Sequence, residues 1–142
     1  MAFALSTLIL LSLEGCGGGG GNPTFNDRAF AVAIQSDSKI VAAGDSYNGN
    51  NGWCFALVRY ISDGSLDTTF ASGGTILTSG VSYWSNNSFV HDIAVQTDGK
   101  IVVAGSSYKD DVSGYDFALA RHNSDGSIDA GFGSGGKVTT GM

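Results

Sequence analysis

At 142 residues the chain has the length of one domain, and 22 of those residues are glycine against a single proline. Its 13 acidic residues are 12 Asp and the lone Glu14, a choice that suits turns and caps and argues against a fold dominated by helix. Seven Lys plus Arg leave a formal net charge of −6, which sets aside electrostatic binding to nucleic acid and leaves the surplus acid a role in solubility.

The first segment departs from this composition. "MAFALSTLILLSL" is almost wholly apolar over 13 residues, the length of a signal-peptide core and short of the roughly 20 that a membrane span needs. Leu13-Glu14-Gly15-Cys16 then resembles the bacterial lipobox, in which a small residue precedes the cysteine that becomes the lipidated N-terminus. Residues 1–16 are therefore expected to be a lipoprotein-type signal peptide with Cys16 as the lipidation site. Glu14 departs from that pattern and no Lys or Arg precedes the apolar run, so an uncleaved N-terminus is the alternative. Residues 17–27 open with five glycines and read as a flexible tether that holds a folded part away from a membrane. The implied partner is a membrane reached through a lipid anchor, and the implied location is the bacterial cell envelope, outer membrane or cell surface, or secretion. Cys54, the other cysteine, reads as a small buried hydrophobe, since its counterpart one period later is Asp116.

From residue 28 the chain repeats itself. Residues 28–88 give "RAFAVAIQS", "KIVAAGDS", "CFALVRY" and "GTILTS" as short strands, and residues 89–142 give "FVHDIAVQT", "KIVVAGSS", "YDFALARH" and "GKVTTG" in the same order. Ala33, Lys39, Ile40 and Gly44 recur 61 residues later, and Phe55, Leu57, Arg59, Asp67, Phe70 and Gly74 recur 62 residues later. The one-residue slip falls between "DSYNGNNGWC" and "SSYKDDVSGYD", which marks an exposed loop. Asp98-Gly99 reads as the tight dipeptide of a two-residue hairpin. The predicted fold is all-β: four-stranded antiparallel meander repeats that form two blades of a β-propeller, an incomplete ring.

The runs "IAVQTDGKIVVAGSS" and "DFALARHNSDGSIDAGFGSGGKV" resemble the delta-60 repeat, a bacterial β-propeller repeat, over about residues 28–79 and 89–141. Ser38 stands where that pattern has a turn glycine, and Cys54 where it has Asp. Propellers close with about four to eight blades, so two blades imply a truncated propeller or a ring completed by self-association. Asn22–Phe25, "NPTF", echoes "DTTF" at Asp67–Phe70 as if an earlier repeat had been cut down. Ile93, Val95 and Leu119 are expected to be poorly covered on the open sheet faces, a liability toward association.

Several patterns carry no chemistry. "RHNSDGSIDAGF" fails as a calcium loop, because Arg121 stands at the first ligand position and Phe132 at the last. Its Asp residues are expected to hold turns, and Asp67 and Asp129 to pair internally with Arg59 and Arg121. His91 and His122 align with Phe30 and Tyr60, so neither is a repeated element. No nucleophile–base pair or phosphate-cradling loop is legible, and no cofactor or metal is expected.

Topology supplies the functional hint. In a meander, the loop between strands two and three and the connection between blades leave at the same end, which gathers Tyr47, Trp53, Tyr83, Trp84, Tyr108 and Tyr115 beside Asn48, Asn50, Asn51, Asn86 and Asn87. Such a rim can stack on and hydrogen-bond to a carbohydrate or protein ligand, or its rings can plug the seam between blades. Two classes of function stay open: a non-catalytic, tethered binding or scaffold module, and a piece of a secreted propeller enzyme whose catalytic residues lie outside this chain.

Overall fold

Eight strands form in the expected order as two four-stranded antiparallel sheets in the structure, a computed structural model that describes residues 26–47, 52–78, 87–110 and 114–142. The first sheet is β1 (Asn26–Ile34), β2 (Ile40–Tyr47), β3 (Trp53–Tyr60) and β4 (Thr75–Thr78). The second is β5 (Ser88–Val95), β6 (Ile101–Asp110), β7 (Gly114–His122) and β8 (Lys137–Thr140). Within each sheet every strand pairs with its neighbours in sequence, so each sheet is a simple meander, the form of a propeller blade.

The registers of the two sheets superpose repeat on repeat. Gly44 pairs with Ala29 and Ala56 in the first sheet, and Gly105 with Val90 and Ala118 in the second. The first strand pair of each sheet, β1–β2 and β5–β6, carries a bulge at the same place, between Ala29 and Ala31 in β1 and between Val90 and Asp92 in β5. A bulge inserts one unpaired residue and reverses the side-chain alternation beyond it, so the same strand can serve two faces.

The hairpin turns correct one expectation. Gln96 N donates to Lys100 O at 2.8 Å and Gly99 N to Gln96 O at 2.9 Å, which closes a three-residue loop, Thr97-Asp98-Gly99, where two residues were expected. Gly99 takes φ 82°, the left-handed position that ends such a loop. The same hydrogen-bond pair recurs at Ser36-Asp37-Ser38, Ser62-Asp63-Gly64 and Ser124-Asp125-Gly126. In each loop the Asp side chain accepts the amide of the residue two positions on, from Lys39, Ser65, Lys100 and Ser127. The turn aspartates are thus structural, as the repeat pattern implied.

The two sheets stack face to face. We call the face of each sheet that carries Phe55, or its equivalent Phe117, the front, and the opposite face the back. Val41, Ala43, Phe55 and Leu57 on the front of the first sheet meet Val90, Ile93, Ile101, Val103, Ala118 and Ala120 on the back of the second, all buried, and Phe70 joins them from the β3–β4 connection. Ile93 is 8% exposed and Val95 packs against the same cluster, so neither is uncovered, contrary to expectation, and Leu119 is only half-exposed. The first blade supplies the neighbour they needed. On the outer sheet faces of the described residues, Phe30, Val32 and Ile34 on β1 and Phe117 on β7 are the more exposed apolar strand residues, with Leu66 and Ile128 exposed in the connections.

Candidate functional site

At the end of the sheets where β2 runs toward β3, the strand termini carry aromatic side chains because the pairing there is Tyr47 with Trp53 and Tyr108 with Tyr115. Cross-strand aromatic pairs of this kind stabilise a sheet end. Tyr47 and Trp53 have ring centroids 5.3 Å apart, and Tyr108 and Tyr115 likewise 5.3 Å apart. Phe89, at the start of β5, links the two pairs, 6.2 Å from Trp53 and 5.9 Å from Tyr115. The result is one continuous row of five rings, Tyr47–Trp53–Phe89–Tyr115–Tyr108, that crosses from blade to blade.

Four of the six rim residues read from the sequence are therefore brought together. Tyr83 and Trp84 lie outside the described residues, as do Asn48, Asn50, Asn51, Asn86 and the lipidation residue Cys16. Two contributors were missed. Phe89 aligns with Arg28, and Arg28 places its guanidinium 3.7 Å over the Trp53 ring, a close cation–π stack. The signal was present in their shared position, one strand end with a flat side chain in both repeats. Asn87 also joins the rim, its side-chain oxygen accepting from Trp53 N at 3.4 Å.

The row divides by exposure. Trp53 is half-buried and touches Phe89 across the seam, so it acts as a plug between blades. Tyr115 is 53% exposed and offers a ring face to solvent. Exposure thus separates Tyr115 from Trp53 within one row.

The opposite end holds the repeated Arg–Asp pairs. Arg59 Nε donates to Asp67 Oδ2 at 2.9 Å and Arg121 Nε to Asp129 Oδ2 at 2.8 Å, each guanidinium lying over a phenyl ring, Phe70 at 4.3 Å and Phe132 at 4.4 Å. Arg59 does more than its repeat: Nη1 also donates to Gln35 Oε1 and, at 2.6 Å, to the Ser124 carbonyl of the second blade. The Thr69 hydroxyl and amide donate to Asp67 Oδ1, and with the charges of Arg59 and Lys39 they hold this carboxyl at about 2 against the cost of burial. Lys100, then Arg121, hold Asp129 below the ordinary carboxylate range. Both acids stay ionised to serve the scaffold. An open groove of about 640 Å³ lies beside Arg59 between the turns, lined by Gln35, Lys39, Gln96 and Asp125.

Two further polar links cross the seam. Val90 N donates to Asp45 Oδ1 at 2.6 Å, and burial pushes the Asp45 carboxyl up despite that bond. His122 is 2% exposed; its Nδ1 faces the Gly126 carbonyl at 3.2 Å, which assigns the proton to that nitrogen and leaves Nε2 to accept from the Thr78 hydroxyl at 3.0 Å. Burial lowers the His122 pKa. His91 is exposed, with its Nε2 3.2 Å from the Ser106 hydroxyl. Among the described residues no three His, Cys, Asp or Glu side chains are grouped to share a metal ion. Cys54 is buried as expected, but it is disulfide-bonded, which corrects the reading of it as an inert small hydrophobe.

The comparisons agree with the architecture. A search of curated proteins finds no match to the chain. The family described as a domain of unknown function (DUF5122) beta-propeller matches residues 35–70 and again residues 96–132, each match running from the first hairpin turn of a blade to the phenylalanine that stacks on its arginine. With just over half of its residues inside these two matches, and with two meander sheets stacked as blades, the chain belongs to this β-propeller family.

Proposed function

We propose that the chain is a non-catalytic, extracytoplasmic propeller module whose aromatic rim holds a carbohydrate or an extended peptide. The observation that carries this reading is the unbroken row of five rings at one end of both blades, bordered by Arg28 and Asn87. Flat rings beside amide and guanidinium groups suit ligands that present alternating apolar faces and hydroxyls or amides. The ionisable groups at the far end are committed to turns and to the seam, which supports a binding role over a catalytic one. A disulfide at Cys54 supports an oxidising, extracytoplasmic compartment, whereas the apolar leader with its lipobox-like Leu13-Glu14-Gly15-Cys16 supports tethering at the envelope in a form where Cys16, the other cysteine of the sequence, is lipidated and Cys54 is left as a thiol. The test is retention of the purified chain on glycan and peptide arrays. Selective retention on one ligand class is expected; no retention on any ligand at tens of micromolar protein contradicts the reading.

A further inference from the structure

The seam inside the chain is front against back, and each half of that seam has an unused equivalent. The front of the second blade carries Phe117, 66% exposed where its counterpart Phe55 is 1% exposed. The back of the first blade carries Val32 and Ile34, 64% and 71% exposed, where the counterpart Ile93 is 8% exposed and Val95 packs into the core. A methyl group placed on Gly126 would stand 2.9 Å from the Phe70 ring, whereas one on the equivalent Gly64 would meet nothing within 4 Å. The first blade thus has the socket without the ring that fills it, and the second blade has the ring, Phe132, without the socket.

We propose that a second copy of this chain docks head to tail, the back of its first blade on the front of this second blade, so that the internal seam is repeated between molecules. The partner is specified by continuity with the internal seam. Shifted by one repeat, the seam contacts map onto side chains able to make them. Arg59 donating to the Ser124 carbonyl becomes Arg121 donating to that of Ser62, and Ala71 N on Asp125 O becomes Gly133 N on Asp63 O. The Thr78–His122 bond becomes Thr140 with the Tyr60 hydroxyl, and Asp45 accepting from Val90 N becomes Ser106 accepting from Ala29 N. At the rim, Trp53 against Phe89 becomes Tyr115 against Arg28, a ring under a guanidinium, and Trp53 N on Asn87 becomes Tyr115 N on Asn26. Where the residue changes between repeats, a donor, acceptor or flat face is kept.

Such a contact is heterologous, so it propagates until rotation closes the ring. Propellers of about four to eight blades correspond to about two to four copies. The proposal is independent of the ligand reading, because it concerns the sheet faces and leaves the rim ends open.

The experiment is the molar mass of the full chain by light scattering, for wild type, Phe117→Asp on the front and Val32→Asp on the back. Both positions are exposed in the single chain, so each variant is expected to keep the wild-type circular dichroism spectrum while losing assembly. Mixed in equal amounts, the two variants should form a dimer and go no further, because one retains a sound back and the other a sound front. A benzophenone side chain at position 117 should cross-link to a peptide around Gly44 of another copy. A monomeric wild type at about 100 µM, or an oligomer whose mass neither substitution changes, overturns the proposal; the latter outcome would locate association in the apolar leader. If a variant loses its fold, the cross-link in the wild-type background decides: a peptide from elsewhere in the chain, or none, refutes it.

Discussion

Phe55 and Phe117 hold the same position in consecutive repeats, one sealed in the seam at 1% exposure and the other 66% exposed on the outer face. Position in the stack, not sequence, decides the energetic weight of an identical side chain. Phe55→Ala should cost about 3–5 kcal/mol, the range for a buried large aromatic, whereas Phe117→Ala in the dilute single chain should stay within about 0.5 kcal/mol. Chemical denaturation at low micromolar concentration measures both.

The fold was legible because the repeat is written twice, so each strand could be read against its copy. Turn positions, the Arg–Asp pairs and the strand order followed from residues such as Arg59, Asp67 and Gly74 that recur at one interval. What a repeat does not record is which copy is covered. Ile93 and Val95 read as exposed because stacking depends on neighbours in space, and Phe117 was passed over for the same reason. The rim was half legible: loop-end aromatics stood out, but Phe89 and Arg28 sit inside strands, and only the bulged register brings them to Trp53. The hairpin was misjudged by one residue because Asp-Gly serves two loop lengths, and the left-handed Gly99 closes the longer one.

His122 gives the seam a pH dependence. Burial depresses its pKa in the fold, so above the unfolded value of about 6.5 both states are neutral and stability is flat. As pH falls below that value the unfolded chain takes up the proton first, and stability declines. The melting temperature should therefore drop between pH 7.5 and 5, at roughly 3–6 °C per kcal/mol lost in a domain of this size. The stability that Asp67 contributes is present above its unfolded value of 3.8 and is lost as pH falls from there through about 2, so it does not overlap this window. His122→Gln should flatten the pH 7.5 to 5 profile; a variant that keeps the full slope assigns it elsewhere.

Ser38 takes φ 66° in the turn where the second repeat has Gly99 at φ 82°. A side chain in the left-handed region costs about 1–2 kcal/mol, partly offset by the lower backbone entropy of the unfolded non-glycine chain. Ser38→Gly should stabilise the chain by about 0.5–1 kcal/mol, and Gly99→Ser should destabilise it by a similar amount. Paired thermal melts of the two variants read the difference directly.

Lipid attachment and the disulfide at Cys54 draw on a sequence with two cysteines, so a thioether on Cys16 removes the only other thiol in the chain. If the lipobox-like segment is processed, radiolabelled palmitate should enter the wild type and not Cys16→Ser, and Cys54 should then react as a thiol under denaturing conditions. Equal labelling of both proteins, or an intact mass showing an unmodified Cys16 joined to Cys54, places the chain as secreted without an anchor.

The rim carries the central claim, and Tyr115 tests it with the least disturbance to the fold. Its ring is 53% exposed, while Trp53 plugs the seam, so Tyr115→Ala removes ligand surface and Trp53→Ala removes stability as well. On whichever array ligand retains the wild type, the dissociation constant should rise about tenfold or more for Tyr115→Ala, the effect of losing about 1.4 kcal/mol or more at a binding hot spot, with the melting temperature unchanged. Undiminished affinity of Tyr115→Ala for that ligand would contradict the assignment of the aromatic rim as the binding surface.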